Sequence, residues 1–215
     1  MNIGILGTGD VGKKLGSGFI SIGHKVKLGS RDPESDKVKS WIAANGKDAS
    51  AGTHAEAAAF GEVIVLATPW SGTENALTLA NPTNFKGKTV IDVTNPLVFA
   101  AEGPPSLALG HTDSGGEQVQ RWLPDARVVK AFNMVGNVHF VHPQFGECGP
   151  PDMFYCGNDE PAKKQVEGFL KQFGWSAIDI GGIERARLLE PLCILWVVCG
   201  ARNGTWDHAF KLLRK

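Results

Sequence analysis

Glycines 7, 9 and 12 stand in G-x-G-x-x-G spacing at the start of the chain, in Ile5-Leu-Gly-Thr-Gly-Asp-Val-Gly12. The apolar residues Ile3, Ile5 and Leu6 precede them, and a helical pattern follows through Lys13, Lys14 and Leu15. This order predicts a strand, a tight turn and a helix, with the glycines at the turn. In that setting Gly7 allows the turn, Gly9 lets a pyrophosphate approach the backbone, and Gly12 lets the helix pack on the strand. The first amides of the helix and the positive end of its dipole complete a phosphate cradle.

The end of the second predicted strand decides which nicotinamide nucleotide such a cradle takes. A site for NAD carries Asp or Glu there to bind the ribose hydroxyls. Here the place reads Gly29-Ser30-Arg31. A hydroxyl and a guanidinium suit a 2′-phosphate, and the guanidinium also stacks on an adenine. Lys37, about a turn into the next helix, adds charge. NADP is the expected cofactor. Asp32 is the counterweight, because a small register shift would turn it to the ribose.

Three further strand ends should line the crevice: Thr68-Pro69-Trp70, Thr94-Asn95-Pro96 and Phe132-Asn133-Met134. Ligands in open α/β sheets sit beyond the carboxyl ends of the strands. Thr68 and Asn95 are candidates for ribose or carboxamide contacts, and Pro69 and Pro96 for stiffening their loops. His139 and His142 lie on the loop after the sixth strand. With no carboxylate or cysteine beside them they make a poor metal site, so no metal is expected; either one is a candidate substrate contact. No Ser-His-Asp set, Tyr-x-x-x-Lys pair or paired carboxylates stand out, and no catalytic residue is assigned. A missing acid favours hydride exchange between two stacked redox cofactors, where the protein supplies orientation and water exclusion.

The elements that must position these residues alternate strand and helix, which predicts an α/β fold of Rossmann type with a doubly wound, mostly parallel sheet. Helices are expected over 11–22, 33–45 with Asp32 as N-cap, 54–60, 73–79, 116–123, 160–173 and 183–202. Strands are expected over 24–28, 51–53, 63–67, 89–93, 126–132, 153–156 and 176–180. Residues 99–116 and 134–151 read as long loops, the first a candidate lid or binding loop. Residues 1–150 would form the nucleotide-binding domain. Residues 151–215 would complete the sheet and add a helical cap or dimer interface.

The 215 residues are 42% hydrophobic and 20% charged, which suits a globular chain able to bury a sizeable core, and their formal net charge of zero gives no global field for nucleic acid or an anionic membrane. No apolar stretch reaches the roughly 20 residues a membrane span needs. The N-terminus enters a strand directly, so no secretory signal is read. The four cysteines lack C-x-x-C spacing. Reduced thiols and a cytoplasmic location are the expectation.

The chain resembles the deazaflavin-dependent NADP oxidoreductases in Gly7-Thr-Gly-Asp-Val-Gly12, Gly29-Ser30-Arg31, Thr68-Pro69-Trp70 and Ala186-Arg-Leu-Leu-Glu190-Pro-Leu, with Asn203-Gly204 after it. It is also similar to the cytosolic reductase domain of six-transmembrane ferric reductases, notably in Lys130-Ala-Phe-Asn133 and Ile178-Asp-Ile-Gly-Gly182. The resemblance implies a Rossmann domain with a small C-terminal part, often dimeric. It implies that Thr8, Gly9, Asp10, Val11, Ser30 and Arg31 bind NADP, and that coenzyme F420 lies over the nicotinamide for direct hydride transfer. An NADP(H)-dependent oxidoreductase acting on a deazaflavin is the leading expectation. A flavin or small carbonyl acceptor, and a non-catalytic NADP(H) sensor, are the alternatives. Arg31→Ala should weaken NADP(H) by about 1.5–3 kcal/mol, the worth of a charge-assisted contact, and NAD(H) far less. Equal losses in a binding titration would refute this assignment.

Overall fold

A computed structural model describes residues 1–215. Its chain alternates β1 (Asn2–Leu6), α1 (Asp10–Ser21), β2 (Lys25–Gly29), α2 (Asp36–Asn45), β3 (Ala49–Gly52), α3 (His54–Phe60), β4 (Val63–Leu66), α4 (Trp70–Leu79) and β5 (Thr89–Asp92). A short hairpin of β6 (Leu97–Val98) and β7 (Ser106–Leu107) follows, then α5 (Gly115–Trp122) and β8 (Arg127–Lys130). The chain ends with β9 (Asp152–Gly157), α6 (Glu160–Gln172), β10 (Ser176–Asp179) and α7 (Ala186–Asn203).

Eight strands form one sheet in the order β10-β9-β8-β5-β4-β1-β2-β3. The six from β3 to β8 are parallel, and the order reverses between β1 and β4. A Rossmann sheet opens its ligand crevice at that reversal. β9 joins β8 antiparallel and β10 joins β9 parallel, so residues after 151 extend the same sheet. Strands covered on both faces read as continuous apolar runs. Val63-Ile-Val-Leu66 is such a run, with all four residues buried.

Three local expectations are corrected. The second helix starts at Asp36 with Ser35 as N-cap, not at Pro33 after Asp32. The Asp32 carboxylate instead accepts from the Glu34 amide at 3.2 Å, and the freed residues form a turn. The fourth helix starts at Trp70, three residues early, directly after Pro69. Residues 99–116 are not bare loop, since β7 pairs back on β6.

One buried cluster ties the sheet to the last helix. Lys130 and Asp92 are wholly buried and Glu190 is 1% exposed. Lys130 Nζ reaches Asp92 Oδ2 at 2.9 Å, Glu190 Oε1 at 2.8 Å and the Thr94 carbonyl at 2.6 Å. Glu190 also accepts from the Gly115 and Gly116 amides at 2.9 and 3.0 Å, so the N-terminus of α5 shares its negative charge. Burial alone would lower the Lys130 pKa; the two carboxylates outweigh it and raise it above the usual lysine range. Removing one member of such a cluster leaves an uncompensated buried charge, which costs about 3–5 kcal/mol. Lys130→Met should lose that much stability in urea unfolding, and a loss under about 1 kcal/mol would show that the cluster does not hold the fold.

Candidate functional site

A cleft of about 690 Å³ opens over the carboxyl ends of β1, β2 and β4. Its floor is the glycine turn. Gly7 has φ +123°, and a Cβ there would collide with the Ala67 carbonyl. A Cβ on Gly12 would collide with the Gly7 carbonyl, so α1 starts hard against the turn. Gly9 faces open space, with nothing within 4 Å of an added Cβ. The backbone is therefore bare where a phosphate would approach.

The far wall is the segment after β2. Ser30 is buried, and its Oγ accepts from the Asp32 amide at 3.0 Å. The hydroxyl hydrogen remains free to donate. Arg31 is exposed and lines the cleft beside Asp32 and Ser35. The opposite wall comes from Thr68, Pro69 and the first turns of α4. Thr68 Oγ1 is fixed by the Thr73 hydroxyl at 2.9 Å, which donates to the Pro69 carbonyl at 3.1 Å.

Among the sequence candidates, Gly7, Thr8, Gly9, Ser30, Arg31, Thr68 and Pro69 line this one cleft. Asp10 and Val11 open α1 at its edge, and Gly12 is buried behind it. Lys37 is exposed in the first turn of α2, outside the cleft walls. The sequence did not single out His54, Ser71, Gly72 or Asn75, which also line it. For His54 a signal existed. Thr53 and Glu56 form a capping box, a T-x-x-E pattern that starts a helix beside the end of β3.

Asn95, Pro96 and Asn133 form a second group at the ends of β5 and β8. Asn95 Nδ2 donates to the Asn133 carbonyl at 2.7 Å, and Asn133 Nδ2 donates to Asn95 Oδ1 and to the Leu189 carbonyl, both at 2.9 Å. Asn133 Oδ1 is buried without a partner. Phe132 beside it has φ +63°, a left-handed conformation that costs a non-glycine residue about 1–3 kcal/mol. Lys130 and Asp92 brace this corner from below. Asp92 Oδ1 accepts from the Thr94 amide and hydroxyl at 2.9 and 2.7 Å.

The histidine expectation is corrected. After Asn133 the chain turns back along α1, where Val141 packs on Gly18 and the His142 amide bonds the Phe173 carbonyl at 2.7 Å. His139 lies 3.3 Å from the Trp206 carbonyl, and neither histidine lines the cleft. No group of three or more His, Cys, Asp or Glu side chains is placed to hold a metal. All four cysteines are unpaired. Burial pushes the Cys156 thiol up to about 12 and the Cys193 thiol up to about 11, so neither supplies a thiolate nucleophile at neutral pH.

A six-strand parallel core with a bare glycine turn, and a hydroxyl and guanidinium after β2, defines a dinucleotide-binding Rossmann protein. Residues 2–96 match the family model described as NADP oxidoreductase, coenzyme F420-dependent. The F420-dependent NADP reductase of Methanocaldococcus jannaschii is 33% identical over 92% of this chain and 91% of that protein. The crystal structure of a candidate F420-dependent NADP reductase from an Arthrobacter species superposes with a TM-score of 0.92 at 36% identity, covering 99% of each chain. The rat metalloreductase STEAP3 is 28% identical over 88% of this chain but only 36% of its own length. The chain belongs to the F420-dependent NADP reductase family.

Proposed function

We propose that the protein is an NADP(H)-dependent oxidoreductase that passes hydride between NADPH and a deazaflavin of the coenzyme F420 type. The observation that carries the reading is the pairing of the bare Gly7–Gly9 turn with Ser30 and Arg31 in one cleft. The residues fit the nucleotide. The open face at Gly9 admits the pyrophosphate, flanked by Thr8, Asp10 and Val11 at the start of α1. Ser30 and Arg31 hold the 2′-phosphate, with Lys37 adding charge from α2. Thr68, Pro69, Asn95, Pro96 and Asn133 border the nicotinamide end. When bound, the reduced nicotinamide supplies the hydride.

The protein's part is binding and orientation. Lys130 is sealed in its ion cluster, and Cys156 and Cys193 are buried and protonated at neutral pH. These groups give no proton to a substrate in the crevice, which suits transfer between cofactors that carry their own chemistry.

The C-terminal residues 151–215 act as an extension of the nucleotide-binding domain at 1–150. We assign their last helix to a homodimer interface, because Leu188 and Leu195 on α7 stay 57% and 48% exposed. Sedimentation that finds only monomer would remove that assignment. No helix is long and apolar enough to cross a membrane. Four unpaired thiols support a reducing, cytoplasmic setting.

The activity is tested by following NADPH oxidation with coenzyme F420, FMN, FAD and simple carbonyl compounds. Turnover with the deazaflavin is expected. Turnover with a flavin or carbonyl alone would overturn the acceptor. Tight NADPH binding with no turnover on any acceptor would replace the enzyme by a sensor.

A further inference from the structure

One titratable side chain in the cleft has no task in the reading above. His54 is 7% exposed and borders the cleft beside Ser30 and Arg31. Its Nδ1 is sealed from solvent and has no hydrogen-bond partner. A Cβ on Gly29 would stand 3.1 Å from that nitrogen, so the imidazole is seated in the space that a side chain at the end of β2 would fill. A buried N–H with no acceptor carries a full desolvation penalty. A bare Nδ1 is also unpaired, but buried orphan donors are the rarer case, so the tautomer with the hydrogen on Nε2 is the less costly one. Because Nδ1 is packed against β2, Nε2 is the nitrogen left to serve the cleft.

We infer that His54 is a third ligand of the adenosine 2′-phosphate, its Nε2–H donating to a phosphate oxygen alongside the Ser30 hydroxyl and the Arg31 guanidinium. The inference rests on the reading of the cleft as an NADP site and adds a residue that discriminates NADP from NAD. NAD has no group there for the imidazole to bond.

The surroundings keep the ring in its neutral form. Burial first, and then the positive charge of Arg31, lower the His54 pKa below the usual histidine value. The segment after β2 presents Arg31 and Asp32 to the cleft. On its own helix, Glu56 is turned back to accept from the Thr53 amide and hydroxyl. Lys27 of β2 lies over the Phe60 ring. Leu6 of β1 and Ala57 of α3, both uncharged, stand beside the same spot. The ring is therefore neutral at neutral pH in the free protein. The imidazolium would put a hydrogen on the unpartnered Nδ1, so the ring stays neutral when the phosphate binds and donates through Nε2 alone.

The test is titration of NADP+ and NAD+ into the full chain and into its His54→Ala and His54→Gln variants from about pH 6.5 to about pH 8. Loss of the donor in His54→Ala should weaken NADP+ about tenfold and NAD+ less than about twofold. Glutamine keeps a donor but cannot titrate. His54→Gln should hold most of the NADP+ affinity and keep the wild-type pH slope, which is that of the phosphate itself. Equal losses for both nucleotides would reduce His54 to packing and overturn the inference, as would an unchanged NADP+ affinity in His54→Ala. A tenfold loss of NADP+ affinity in His54→Gln would overturn it too, and that variant decides the matter if the alanine protein does not fold. A wild-type protein with no preference for NADP+ would remove the cleft assignment itself. A wild-type preference that both variants keep would remove only the role of His54.

Discussion

A single buried ammonium holds the working end of the molecule together. Lys130 lies where β8, β5 and α7 meet, and it bonds Asp92, the Thr94 carbonyl and Glu190. Two carboxylates face one lysine, an imbalance that would be costly away from water. The N-terminal amides of α5 take up the difference on Glu190. The cluster therefore fixes two helices and two strands at once. Arg187 repeats the tie nearer the surface, donating to both Glu117 oxygens at 2.8 and 2.6 Å. Its guanidinium holds the Glu117 carboxyl below the usual range.

The two halves of the crevice are built by different means. The nucleotide half is backbone: a glycine that tolerates positive φ, a bare glycine and a helix start. Its walls need few side chains, and those are small or flexible. The other half is a side-chain lattice in which Asn95 and Asn133 bond each other and α7. That lattice carries local cost in the strained Phe132 and the unpartnered Asn133 Oδ1. Strain of this kind persists where the surroundings over-determine a conformation, and here the ion cluster below supplies that constraint.

Much of the first half was legible in the sequence, because local spacing encodes it. Gly7, Gly9 and Gly12 declare a strand–turn–helix, and the Gly29-Ser30-Arg31 end of β2 declares its charge preference. The buried strand at 63–66 is legible as a continuous apolar run. Less legible were features that depend on distant partners. Lys130, Asp92 and Glu190 look like surface residues until β8, β5 and α7 are brought together, and only the resemblance of their flanking motifs marked two of the three segments. The course of the loop that carries His139 and His142 is not legible either, because nothing local shows that Val141 packs on α1. Asp32 reads as a helix cap because Pro33 suits a first helical turn; its own bond to the Glu34 amide shows how an Asx turn competes for the same residue.

The route of α7 has a consequence for the order in which the protein becomes whole. Every wall of the nucleotide cleft lies within the first 76 residues. The opposite corner waits for a helix that begins at residue 186, whose Glu190 reaches amides 74 and 75 positions earlier in the chain. Such long closures come late, because loop entropy must be lost before the contact repays it. As the chain leaves the ribosome, the half that holds the nucleotide can assemble from neighbouring segments. The half that faces the second substrate cannot close until α7 has been made.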